Sequence, residues 1–168
     1  MFKRGASPSF YLSSPSPLKL KERGIKRVRL IKKPLPERKV VTCFLESDNE
    51  ILILRRSGQV GTYQGKWAGV SGYLEKTVDE QALIEIEEET GLPREGVKLI
   101  KRGKPLPVKD EKLGVKWLVH PYLFHIEDRS KIRIDWEHKE VRWIKPEEIG
   151  NYETVPMLKE ALAQVYKS

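Results

Sequence analysis

The sequence predicts a mixed α/β domain, on three observations. Short β-branched and aromatic stretches recur from about Val40 onward, one well-capped helical segment lies among them, and an amphipathic helical segment closes the chain. Strands that enclose one helix, with a second helix last, do not make a regular βαβ repeat, and the chain has no internal repeat. Its 168 residues suffice for a single domain with a real core. No apolar run approaches a membrane span, so a soluble, cytoplasmic protein is expected. The one cysteine, Cys43, excludes an intrachain disulfide and a cysteine metal cage.

The elements follow in order. Residues 1–21, MFKRGASPSFYLSSPSPLKLK, are Ser- and Pro-rich and hold no acid. They have a transit-peptide flavour, but the favoured reading is a disordered tail. They belong to a basic arm over residues 1–37, followed by a folded domain over residues 38–168. KVVTCFLE reads as a strand, SDNE as a turn and EILILRR as a second strand, together a hairpin. SGQVGTYQGKW is a glycine-rich loop, and WAGVSGYLE is strand-like and then turns. TVDE fits a capping box with Thr77 as N-cap and Glu80 reaching back. The helix it starts runs to about Thr90, where Gly91 supplies the left-handed stop and Pro93 bars continuation. VKLIKRG and LGVKWLVHPYLFHI are strand-like and separated by a polar stretch. EVRWIK is a short strand, PEEI a Pro-led turn of helix, and TVPMLKEALAQVY the closing helix.

Charge is unevenly spread. The net +8 is a balance of +10 over residues 1–40 and of −2 over the other 128. The body is therefore near neutral. A basic arm can touch nucleic acid through phosphate attraction alone. With no aromatic or Gly-rich pattern among its Lys and Arg, that reading ranks below the disordered tail.

Against this background the stretch IEIEEETGL, residues 84–92, stands out, with four glutamates in the five residues Glu85 to Glu89. Like charges three and four apart on a helix repel by roughly 0.2–0.5 kcal/mol per pair. A 3.6-residue period puts Ala82, Leu83, Ile86 and Thr90 on a core-facing arc and Glu85, Glu88 and Glu89 on another. Three carboxylates on one patch are an oxygen-ligand set for Mg²⁺ or Mn²⁺. Glu87 points elsewhere, as a solvated residue. An acidic solvated face is the competing reading of the run taken alone.

What decides between them is a resemblance to the Nudix hydrolase family. Its signature, G-x5-E-x7-R-E-U-x-E-E-x-G-U with U aliphatic, is met in its second half by Glu85, Ile86, Glu87, Glu88, Glu89, Thr90, Gly91 and Leu92. GKWAGVSGYLE resembles the family's approach to the box. EHKEVRWIKPEEI and TVPMLKEAL are similar to its closing strand and last helix. The resemblance spans roughly residues 38–168. It implies a mixed β-sheet sandwiched between helices, with the box as loop-helix-loop. Two departures are visible. Ile84 stands where the family has arginine, and the chain from Gly72 to Glu85 is two residues shorter than the pattern. In the family the arginine helps hold the box loop by pairing with acids. Here arginine and the first box glutamate are lost together, so neither is left as an unpaired charge.

Carried over by position, Glu85, Glu88 and Glu89 are expected to bind the metal, with the Gly72 carbonyl completing its shell. Glu75, next to the turn, is expected to assist through a water or hold the loop. Glu137, with Glu140 behind it, is the candidate late ligand or general base. Arg55 and Arg56 are candidates for holding phosphate, and Tyr63 for stacking on a base; Trp67 is expected to pack on the sheet. His120, His125 and His138 are assigned no chemistry. The resemblance implies Mg²⁺-dependent hydrolysis of a nucleoside diphosphate linked to another group, by attack of an activated water on phosphorus. It makes a homodimer a candidate assembly. A nucleotide-sensing module that has lost hydrolysis ranks second. An isoprenyl diphosphate isomerase ranks third, since Cys43 lies too far upstream to match a catalytic cysteine.

Overall fold

A computed structural model describes residues 33–167; the readings made for residues 1–32 lie outside the described residues. Eight strands form one mixed sheet: β1 (Glu37–Ser47), β2 (Glu50–Arg56), β3 (Trp67–Ala68), β4 (Val70–Tyr73), β5 (Val97–Arg102), β6 (Leu106–Asp110), β7 (Val115–Ile126) and β8 (His138–Ile144). Two α-helices, α1 (Val78–Thr90) and α2 (Leu158–Val165), cover it.

Alternation along β1 builds two cores, one per face. Val41, Cys43 and Leu45 join Leu52, Leu54, Ala82, Ile86 and Phe124 beneath α1. Phe44 joins Ile51, Ile53, Leu123, Leu158, Ala161 and Leu162 beneath α2. The sheet is thus sandwiched between the helices. Strands β1 and β7 form its long parallel centre, paired from Glu37↔Lys116 to Glu46↔His125.

The expected hairpin is real only at its turn, where Asp48 and Asn49 both take positive φ and Glu46 and Ser47 pair with Ile51 and Glu50. Beyond that the strands part. β1 pairs with β4 and β7, and β2 with β3 and β8. β3 and β4 enter between the diverging strands, and Gly72 on β4 brings the backbone to the site.

The polar stretch after β5 contains a strand that the sequence hid. β6, with Pro107, Lys109 and Asp110 among its five residues, is held by cross-strand pairing to β7 rather than by its own apolar pattern. The closing helix starts later than its periodicity predicts. The chain from Glu153 to Val155 exchanges backbone hydrogen bonds with Trp67, and Met157 takes φ 64°. Trp67 itself packs in the α2 core, 7% exposed.

Helix α1 forms as its caps dictate. Thr77 Oγ1 accepts from the Glu80 N–H at 3.3 Å, and Gly91 at φ 74° donates to the Glu87 carbonyl. The return half of the capping box is absent, because the Glu80 carboxylate turns towards Arg94, 4.0 Å away. Asp79, in the first turn, accepts from Arg102 Nε at 2.9 Å and Nη2 at 2.6 Å, and from the Tyr122 hydroxyl. Those hydrogen bonds lower its pKa to about 2. A depressed folded pKa gives stability that is complete above the ordinary carboxylate value and lost as pH falls towards 2. Asp79→Asn is therefore expected to flatten the acid limb of a Tm-versus-pH curve between pH 4 and 2.

Candidate active site

The site is built where β1 and β2 part. From α1, Glu85 and Glu89 turn inward and are 1% and 2% exposed, while Glu88 stays at the surface. The three glutamates of the expected patch are therefore split between interior and solvent. The inward pair takes up the edge of the core arc, since Ile86 and Ala82 fill its centre at 0% exposure.

Glu85 lies directly on β4. A β-carbon added to Gly72 would fall 2.0 Å from both Glu85 Cδ and Oε1. Only glycine permits this approach of carboxylate to backbone. On its other side, Glu85 Oε1 accepts from Gln81 Nε2 at 3.0 Å, and Gln81 Oε1 accepts from the Glu75 N–H at 3.1 Å. Glu75 itself is exposed on the turn between β4 and α1.

Glu89 is the more strained charge. Its Oε2 is buried without a hydrogen-bond partner among the described residues. Burial first, then the negative charge of Glu85, Glu137 and Asp135, push its carboxyl well above the usual range. Its Oε1 lies 3.5 Å from His138 Nε2, with both side chains almost fully buried. His138 Nδ1 lies 3.2 Å from Asp135 Oδ1, which also accepts from the Glu137 N–H at 3.2 Å. Asp135 and His138 thus tie the Glu137 segment to α1. The Glu137 carbonyl accepts from the Ser57 N–H at 2.8 Å, which fixes the same segment to the end of β2.

Glu137 and Gly72 open into a cavity of about 170 Å³. Arg56 sits on its wall, anchored by Nε to the Thr62 carbonyl at 2.9 Å. Burial pushes this guanidinium pKa down, against the opposing pull of Glu89 and Glu137. Tyr63, Tyr73, Val108, Trp117 and Leu158 give the cavity an apolar and aromatic lining, and Trp136 at 50% exposure also lines it. Tyr63 takes φ 51°, donates its hydroxyl to Asp110 Oδ2 at 2.6 Å and accepts from Trp117 Nε1 at 3.1 Å. This clasp holds the loop after β2 against the β6–β7 hairpin. Tyr63→Phe removes both bonds, one of them to a carboxylate, and is expected to cost about 2–3 kcal/mol in urea unfolding.

Of the residues singled out in the sequence, Gly72, Glu85, Glu89, Glu137, Arg56 and Tyr63 gather at this centre and its cavity. Glu75 and Glu88 line an adjoining open depression with Gln81, Ile84 and Glu85. Arg55 lies apart, with Nε donating to the Gly65 carbonyl and Nη1 to Glu140. Glu140 also binds Arg142. Gln81, Asp135 and His138 had not been singled out for the site. Gln81 carried a signal, a Gln–Glu pair at i, i+4. His138 carried none.

Among the described residues, no three acidic, histidine or cysteine side chains already converge as a finished metal cage. The donor set nevertheless suits a hard divalent cation. Two buried carboxylates share one side of the centre, Glu89 Oε2 lacks a partner, and backbone approaches Glu85 with nothing between. No helix among the described residues is long and apolar enough to cross a membrane.

The NUDIX domain profile matches residues 36–167. Solved structures share the fold. An Ap4A hydrolase binary complex from C. elegans superposes with a TM-score of 0.61 at 15% identity, covering 76% of this chain and 93% of that one. A MutT Nudix hydrolase from Burkholderia pseudomallei gives 0.62 at 21% identity, with 77% and 98% covered. A bifunctional NMN adenylyltransferase/ADP ribose pyrophosphatase from Francisella tularensis gives 0.64 at 20% identity, with 76% and 40% covered. With the box helix, the sandwiched sheet and a profile match over most of its length, the chain belongs to the Nudix family of hydrolases.

Proposed function

We propose that the protein is a divalent-cation-dependent pyrophosphohydrolase acting on a nucleoside diphosphate linked to another group. The observation that carries this reading is the buried Glu85–Glu89 pair, with a Glu89 oxygen unpartnered among the described residues, set against Gly72, which lines a cavity with aromatic walls. Glu85, Glu89 and the Gly72 carbonyl would hold Mg²⁺ or Mn²⁺, with Glu88 at the solvent side. When bound, the ion neutralises phosphate charge and lowers the pKa of a water.

The chain's own residues supply the rest. Arg56 donates to a phosphate oxygen from a wall where low polarity strengthens the contact. Glu137 takes the proton of the attacking water as general base. Tyr63, Trp117 and Tyr73 receive the flat organic group and keep bulk water from the cavity's apolar wall. Cys43 is no nucleophile. Burial, then the charges of Glu89 and Glu85, push its thiol pKa well up, which counts against isomerase chemistry.

The test is product release across a panel of nucleoside diphosphate derivatives with Mg²⁺ or Mn²⁺, wild type beside Glu88→Gln. Cation-dependent release is expected from wild type and a clear loss from the variant. Unchanged release in Glu88→Gln would remove that residue from the site. No release on any substrate, with tight nucleotide binding retained, would favour a sensing module instead.

A further inference from the structure

We infer that Gln81 positions Glu85 and the box loop in this chain, taking over the task that falls to arginine elsewhere in the family. The inference rests on the proposed cation-dependent reading of the same centre. Three observations lead to it.

The first is what is missing. Ile84 occupies the arginine position, and the turn before α1 is two residues short, so the usual arginine–acid contact cannot form. The second is what stands there. Gln81 is 5% exposed, and its amide spans the two parts that contact would hold. Its oxygen accepts from the Glu75 N–H of the turn, and its nitrogen donates to Glu85 Oε1. The third is the geometry that needs holding. Glu85 presses on Gly72 so closely that a small swing of the carboxylate would withdraw it from β4.

A neutral amide suits the task in a way that arginine does not. It donates one proton to the carboxylate without adding a positive charge that would compete with a cation. Only one orientation of the amide satisfies both partners, because the N–H of Glu75 requires an acceptor and the carboxylate of Glu85 a donor. That arrangement fixes which way Glu85 faces. Gln81 touches neither substrate nor cation, so its role is positioning.

The test uses the full chain and Mn²⁺ alone, with free Mn²⁺ read by electron paramagnetic resonance. Gln81→Met keeps the side-chain volume and loses both hydrogen bonds. Gln81→Glu keeps the acceptor for Glu75 but not the donor for Glu85. Both variants are expected to melt as cooperatively as wild type and to bind Mn²⁺ about 10–100-fold more weakly, as when an outer-shell partner is removed. On a substrate found in the panel, kcat is expected to fall with KM little changed at saturating Mn²⁺.

Mn²⁺ affinity within twofold of wild type in both folded single variants would overturn the role of Gln81 and leave the proposed function standing. Wild-type Mn²⁺ binding that is absent, or that ignores Glu89→Gln, would overturn the proposed function and this inference with it.

Discussion

Gly72→Ala is expected to cost both folding stability and activity, although it adds a single methyl group. The new β-carbon would lie 2.0 Å from Glu85 Cδ and Oε1, well inside any tolerated contact. The strand cannot yield, so the Glu85 carboxylate must. β4 is held by its register with β1, Gly72 opposite Val41. Glu85 is held from behind by Gln81, and α1 is fastened to the sheet through Ala82 and Ile86. Overpacking of this kind costs roughly 1–3 kcal/mol. The structure can relieve it by swinging Glu85 away, which removes a carboxylate from the centre. Urea unfolding and Mn²⁺ titration of the same preparation separate the two losses. A variant with wild-type stability and wild-type Mn²⁺ affinity would show that the carboxylate does not rest on the strand.

Glu89→Gln should separate stability from activity. With no divalent ion present, Glu89 is a buried carboxylate facing Glu85 and Glu137, and its folded pKa is raised. The sign follows from linkage. Between the ordinary carboxylate pKa and the raised one, the folded state binds more protons than the unfolded state, so stability falls as pH increases. Glutamine removes that charge at constant volume. The variant is expected to be more stable than wild type at pH 7–8 in chelator, and its Tm should vary less with pH above about 5, just beyond the ordinary carboxylate range. Activity should fall by on the order of 10²–10³, the scale for losing one electrostatic contact to the transition state. Calorimetry in chelator and turnover in Mg²⁺ are the two readouts. A variant less stable than wild type under chelator, or one that retains activity, would contradict this account of the site.

Much of the fold is legible in the sequence because its elements carry their own signals. The helix from Val78 to Thr90 is announced by Thr77 and closed by Gly91, and those two residues do what they announce. The strand pattern of β1 names its two cores directly, Val41, Cys43 and Leu45 against Phe44. The parts that stay hidden are those stabilised by a partner far away in sequence. β6 exists because β7 lies beside it, and the start of α2 is delayed because Trp67 claims the preceding backbone. The site divides the same way. Spacing on α1 picks out Glu85, Glu88 and Glu89 as a group, but periodicity has no means of placing Glu88 in solvent and its neighbours inside. That division depends on where β4 and β1 pass beneath the helix. His138 and Asp135 lie at and just before the start of β8, far along the chain from α1, and only tertiary contact brings them to Glu89.

Cys43 lies under α1 on the central strand, 1% exposed, its sulfur 4.0 Å from the Ala82 carbonyl. Because it is the chain's only thiol, it is a built-in clock for the separation of helix and sheet. A thiol-reactive dye reaches it only when the packing over Cys43 opens, so labelling kinetics report openings that include the lifting of α1 from β1. Any ligand that fastens the glutamates of α1 to the sheet should slow the clock in proportion to its occupancy. Cys43 would therefore report the proposed cation binding without substrate, engineered label or knowledge of the reaction.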